Sequence, residues 1–338
     1  MLASLNDLGG SECAPLQRSL RHRLSGIRHR CLLLSASISG SNVKRADERL
    51  ATSADQRAYA LEVLDTALSG DTRRYLMTLF EGVPATVALQ QMSTSFPQRL
   101  LGRNQRLSLL ITPGGHRFEP WIRACSVRAA ILLGEVDLAA DVAQRLDDDS
   151  RLVSETAAWA LRTLSPSLWS EQEERITEQG LVPPDLMFWI ESWKPGERPM
   201  FLTVEKVMVL RSVGVFADVP EEVLADLAGY LEEIEVGADE RVYEKGAVGR
   251  TMYIIAEGRV HVHDEEHSFT ELHTGEVFGE LTTLDPEPHS ASVTALADTR
   301  LLGLDRDALY ELMSAHPTVL RGLIHILCRR LRAKGRRN

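Results

Sequence analysis

Cysteine is scarce. Four residues in 338, Cys13, Cys31, Cys125 and Cys328, stand far apart with no CxxC pair. That spacing argues against a disulfide frame or a cysteine zinc site and reads as reduced thiols in a cytoplasmic protein. Long apolar runs are missing too: none reaches the roughly 18 residues of a membrane span. The nearest approach to a targeting segment is Cys31–Leu34 behind the basic stretch Arg18–Arg30, and serines interrupt it short of a secretory core. Positive charge is in deficit, with a formal net charge of −10, so general nucleic-acid binding is not expected. Catalytic signatures are absent: no GxSxG, no Walker-type GxxxxGK, no HExxH, and carboxylates scattered over surface positions. The chain is expected to be non-enzymatic.

What remains is an ordinary globular composition, 44% hydrophobic and 25% charged, at a length that suggests two domains and one loose end. Residues 1–50 are that end. Arg18, Arg21, Arg23, Arg28, Arg30, Lys44 and Arg45 face only Asp7 and Glu12 in the first 45 positions. The stretch reads as a flexible basic arm, with a basic helix over Leu16–Leu34 as the alternative.

Residues 51–195 carry helical periodicity. Ala58, Leu61, Leu64, Ala67 and Leu68 recur at intervals of three and four, and a second helix is expected over Thr72–Phe80. Ala129–Gly134 and Ala157–Arg162 repeat each other at an offset of 28, with a helix expected over Leu138–Leu146 between them. Paired alanine-rich helices at a fixed offset resemble HEAT-type repeats, which implies a stacked scaffold that holds a protein partner. Prolines then punctuate an aromatic cluster, Leu186–Ile190 with Trp193, read as an interdomain joint with the boundary at 194–198.

Residues 196–338 change period. A helix over Leu202–Leu210 and another opened by Asp218 and Pro220 precede eight short strands. These are Ile234–Val236, Glu240–Glu244, Met252–Ala256, Arg259–His263, Phe269–His273, Val277–Phe278, Ser290–Ala295 and Arg300–Leu304. Glycine and proline turns at this spacing indicate a jelly-roll type β-roll. Two helices close the sequence, one opened by Asp305 and one by Pro317.

Within this region Gly275–Ala295 is the most informative stretch. Val277-Phe278 leads into Gly279, then Glu280-Leu281 and one helical turn. A glycine-opened turn leaves backbone N–H groups pointing outward for an anion, and a carboxylate beside it suits a sugar hydroxyl. The Phe278–Leu281 segment, its spacing to Ser290–Ala295, Lys245-Gly246 and the run Met252–Val260 together resemble the cyclic nucleotide-binding domain of catabolite-activator proteins and kinase regulatory subunits. The resemblance covers 201–332. It implies a multidomain α + β protein: an N-terminal α-helical HEAT-like repeat domain and a C-terminal β-roll (jelly-roll) cyclic nucleotide-binding-like domain with flanking helices.

It also implies a ligand, cAMP or cGMP, and no other cofactor. Gly279, Glu280, Leu281, His289, Ser290 and Ser292 are its ligand-binding residues. In the family an arginine precedes the small-residue run and pairs with the cyclic phosphate; here that position is His289. Losing one partner of a buried charge pair costs about 2–5 kcal/mol, about 30-fold to several thousand-fold in affinity. No Lys or Arg lies between Val260 and Thr299 to compensate. Cyclic-nucleotide affinity is therefore expected to be weak or lost, unless a bound anion protonates His289 and affinity grows toward low pH. His261 and His263 share a strand face and form a candidate metal pair, set against a plain solvent-facing reading.

The family's last helix folds over the pocket, which makes Ile324, Leu327 or Cys328 the expected lid residue. Its basic end complements the helix's negative terminus, and no helix-turn-helix follows it. The expected function is a regulatory sensor coupled to a protein-interaction scaffold. The alternatives are a structural adaptor with an empty barrel, or the soluble regulatory part of a membrane nucleotide-transporter-like system.

Overall fold

The computed structural model describes residues 1–39, 54–68, 70–112, 118–180, 187, 200–217, 219–264, 267–285 and 287–335. Lys44 and Arg45, the aromatics Phe188, Trp189 and Trp193, the boundary at 194–198 and the Asp218 cap lie outside the described residues. The chain divides into two compact units, Met1–Asp149 with Ala157–Leu181 and Ser150–Thr156 with Val182–Asn338.

Ten α-helices are described before residue 181: α1 (Leu2–Asp7), α2 (Ala14–Ser39), α3 (Ala54–Ala67), α4 (Gly70–Phe80), α5 (Ala85–Met92), α6 (Arg103–Ile111), α7 (Pro120–Leu133), α8 (Ala139–Ala143), α9 (Arg151–Leu164) and α10 (Pro166–Gln179). The stretch expected as a loose arm is instead helical and packed over its described part. Leu16, Leu20 and Leu24 recur every fourth residue of α2 and are buried, while Arg18, Arg21 and Arg30 stay outside. Asp7 pairs with Arg106 at 2.6 Å, and Trp121 Nε1 donates to Ser19 Oγ at 2.6 Å in the interior.

The two alanine-rich blocks fall in α7 and α9, and most of their alanines are fully buried. The helix expected between them is shorter than its periodicity implies. It is a 3-10 turn (Val136–Leu138) followed by the five-residue α8. Arg145 accounts for the early stop: its guanidinium donates to Asp148 at 2.9 Å and to the Ile111 carbonyl, holding the segment in a turn.

In the second unit α11 (Thr203–Ser212) and α12 (Glu221–Ala228) come first. Pro220 stands at the start of α12 with Glu221 and Glu222 in its first turn, where acids meet the positive helix end. All eight expected strands form: β1 (Glu232–Val236), β2 (Arg241–Tyr243), β3 (Thr251–Glu257), β4 (Arg259–His263), β5 (Ser268–His273), β6 (Val277–Phe278), β7 (Ser292–Ala295) and β8 (Thr299–Asp305). They make two four-stranded sheets, ordered β1-β8-β3-β6 and β2-β7-β4-β5, and every pair is antiparallel.

One core joins the sheets. Val236, Ile255, Phe278 and Leu301 from the first pack on Val260, Leu272, Val293 and Ala295 from the second. Period-two alternation sends these residues to the face between the sheets, while the central strands β3 and β8 are buried on their other face as well. A short helix, α13 (Glu280–Leu284), interrupts the roll between β6 and β7; α14 (Arg306–Ala315) and α15 (Pro317–Gly335) follow β8. Asp305 caps α14 by accepting from the Asp307 N–H at 2.8 Å.

Candidate functional site: a cavity under the last helix

The site begins where β6 ends. Gly279 sits at φ +77°, and a Cβ there would stand 2.8 Å from the Thr251 carbonyl oxygen, so the turn accepts only glycine. From this turn α13 starts, and Thr283 Oγ1 donates back to the Gly279 carbonyl at 2.8 Å. The far end of α13 is held from α14. Arg306 donates to the carbonyls of Thr282 and of Thr283 (2.9 Å to the latter), and the Tyr310 hydroxyl donates to the Leu284 carbonyl at 2.8 Å. Carbonyls with no partner inside so short a helix are thereby satisfied.

Beside α13 lies a cavity of about 1540 Å³. Gly279, Glu280, Leu281, His289 and Ser290 all border it, brought together from the end of β6, α13 and the approach to β7. Glu280 borders the cavity but is only 1% exposed, so it is withdrawn from water on that side as well. Leu281 is 55% exposed and Ser290 is exposed as well. Ser292 is not among the residues that border the cavity: it is buried at the start of β7, and its Oγ accepts from the Lys245 backbone N–H at 3.0 Å.

His289 is built in rather than held out. It is 7% exposed, its ring stacks on Tyr243 with centroids 3.7 Å apart and planes 8° apart, and its Nδ1 shares a 2.8 Å hydrogen bond with Thr282 Oγ1. Backbone bonds to the Ala247 carbonyl and from the Gly246 N–H, at 2.9 and 2.8 Å, fix the residue. Burial pushes its imidazole below the ordinary value of 6.5. The expectation that His289 regains a charge at mildly acid pH thus meets an opposing force: the ring is buried with no carboxylate partner among the described residues. The other histidine pair is plainer. His261 and His263 stack at 5.0 Å and bond to Ser268 and Thr294, while Val260 between the sheets is fully buried. Among the described residues no group of three or more His, Cys, Asp or Glu is placed to hold a metal.

The face that α15 turns to the cavity differs from the expected lid. Val319 and Leu323 are its buried anchors. Thr318, Arg321, His325, Ile326 and Arg329 border the cavity, whereas Ile324 is 52% exposed and Cys328 is exposed. The sequence reading missed these residues because Leu320, Ile324, Leu327 and Leu331 make a more hydrophobic stripe than Val319 with Leu323. The fourfold recurrence of Arg321, His325 and Arg329 was the available signal.

Residues 233–316 match the cyclic nucleotide-binding domain family. The CRP-like cAMP-activated global transcriptional regulator of Mycobacterium tuberculosis is 30% identical over 129 residues, covering 37% of this chain and 58% of that protein. The cyclic AMP receptor protein of Thermus thermophilus is 36% identical over 119 residues, 33% of this chain and 54% of the relative. The cAMP-dependent protein kinase regulatory subunit of Dictyostelium discoideum is 32% identical over 126 residues, 35% and 37% of the two chains. The chain thus spans little more than half the length of the two bacterial relatives. The second unit carries a cyclic nucleotide-binding regulatory domain of the kind these proteins contain. No helix among the described residues is long and apolar enough to cross a membrane.

Proposed function

We propose that this chain is a non-enzymatic, cytoplasmic regulator whose second unit takes a cyclic nucleotide, cAMP or cGMP, and whose first unit is a HEAT-like scaffold for a protein partner. The observation that carries the reading is the cavity itself. A glycine-only turn, a buried carboxylate and His289 converge on one space within the residues that match the family. In this reading Glu280 accepts hydrogen bonds from the ribose hydroxyl, and the backbone at Gly279 lets the ligand approach closely.

Affinity is weak, because the position that carries the family's phosphate-pairing arginine holds a ring that is neutral at pH 7 and has Nδ1 engaged by Thr282. The same packing of His289 favours a second reading, a structural adaptor whose barrel stays empty. Thermal denaturation with millimolar cAMP, cGMP and cyclic dinucleotides separates the two, since a ligand that binds only the folded state must raise the melting temperature. The first reading expects a rise with a cyclic mononucleotide and a larger one in His289→Arg. No rise with any nucleotide, in either protein, leaves the adaptor.

A further inference from the structure

The cavity has cations after all, and they come from the last helix. Several other guanidinium and ammonium groups of the second unit are engaged by partners within it. Arg250 pairs with Asp307 at 2.6 Å, Arg241 with Glu244 at 2.7 Å, Arg300 with Glu233 at 3.2 Å and Lys245 with Asp264 at 3.4 Å. Arg321 and Arg329 have neither an ion pair nor a hydrogen bond among the described residues, yet both border the cavity. Helical geometry puts positions 321, 325 and 329 on one face, with roughly 12 Å between the outer two.

The helix is pinned there by packing. Val319 and Leu323 are buried, and at Gly322 a Cβ would stand 2.7 Å from both the Cα and the carbonyl oxygen of Val215. A glycine inside a helix is unfavourable against alanine, and here it lets the α15 backbone lie on the Gly214–Val215 turn that forms part of the cavity wall. The opposite wall presents Glu276, Glu280, Asp285 and Glu287, with no Lys or Arg. An anion entering this space finds attraction on one side only.

We propose that Arg321 and Arg329 of α15, with His325 between them, form the phosphate clasp of this cavity in place of the arginine that the 279–295 segment lacks. The inference rests on the cyclic nucleotide reading for the ligand's identity, and adds where its charge is held. The ligand's sugar faces Glu280 and its phosphate faces α15. Ligand charge therefore bears directly on the seating of the terminal helix. Because both arginines are exposed at the mouth, the grip weakens as salt rises.

Calorimetry on the full chain with cAMP and cGMP, at low and high salt, tests this with Arg321→Gln/Arg329→Gln and with Arg332→Gln, which is on the same helix but away from the cavity. The double variant is expected to lose about tenfold or more in affinity, and most of the salt dependence, while Arg332→Gln keeps wild-type affinity. Equal affinity in the wild type and the double variant overturns the clasp and leaves the cyclic nucleotide reading intact. If the wild type binds neither cyclic nucleotide, that reading fails and inorganic pyrophosphate decides the clasp. Pyrophosphate bound by the wild type and not by the double variant upholds it; pyrophosphate bound by both or by neither overturns it.

Discussion

His289 illustrates how one side chain is set by competing demands. Its ring gains a stacked Tyr243 face and a hydrogen bond with Thr282, and gives up water. Burial disfavours the imidazolium, so the folded value lies below 6.5 while the unfolded chain titrates near 6.5. Between the two values the unfolded chain binds more protons, hence stability is fully present above about pH 6.5 and falls as the pH drops below it. Chemical denaturation of wild type and His289→Gln from neutral pH down to about pH 5 should show the wild type losing the greater share of stability in that interval. Parallel losses in the two proteins would show that the ring's burial is not the cause. Glu280 meets its own constraint: a carboxylate almost wholly withdrawn from bulk water beside a turn that only glycine can make. Both residues stand out in the sequence by their motif, but only the folded structure reveals that both are buried at the edge of one cavity.

At the scale of elements, α13 is five residues long and cannot satisfy its own ends. Arg306 and Tyr310 supply what it lacks, so α13 and α14 behave as one piece. Arg306→Met removes a charge-assisted donor from two carbonyls and should cost about 1.5–3 kcal/mol. Amide hydrogen exchange would report it as faster exchange across Glu280–Leu284 than across β4, the remote strand serving as the internal reference. The last helix makes a complementary case. Gly322→Ala improves helix propensity by about 1 kcal/mol in isolation. Here the added methyl meets the Val215 backbone, so the variant should be less stable than wild type and its α15 amides less protected. A more stable variant would mean that α15 does not rest on Val215. Neither interaction is readable from periodicity, because each joins residues whose roles are defined by who stands opposite them.

For the whole molecule, both compact units bury charged side chains. In the first, Arg123 and Arg145 share the buried carboxylate of Asp148, at 2.8 and 2.9 Å. Asp148→Ala strands two interior guanidinium groups and should cost about 3–5 kcal/mol, measured as a lower midpoint in urea. A midpoint within error of wild type would show that water reaches the pair.

The sequence by itself determined the second unit almost strand by strand. Alternating apolar residues closed off by glycines leave a β-roll few other ways to bury one face, and the Gly279–Glu280 turn carries a local geometry that no distant residue needs to supply. It also determined the helix that carries Ala58, Leu61 and Leu64 and the second one over Thr72–Phe80, observed as Ala54–Ala67 and Gly70–Phe80, and it held the basic helix over Leu16–Leu34 open. Only packing in three dimensions settles that the N-terminal helices are buried, because Leu16, Leu20 and Leu24 become a core stripe once Trp121 meets Ser19 of α2, while Arg106 holds Asp7 of α1. Only it removed Ser292 from the site and turned Arg321 and Arg329 toward it. Which face of a helix looks inward is settled by packing against a particular neighbour, here Val215 against Gly322, and a sequence does not contain that distance.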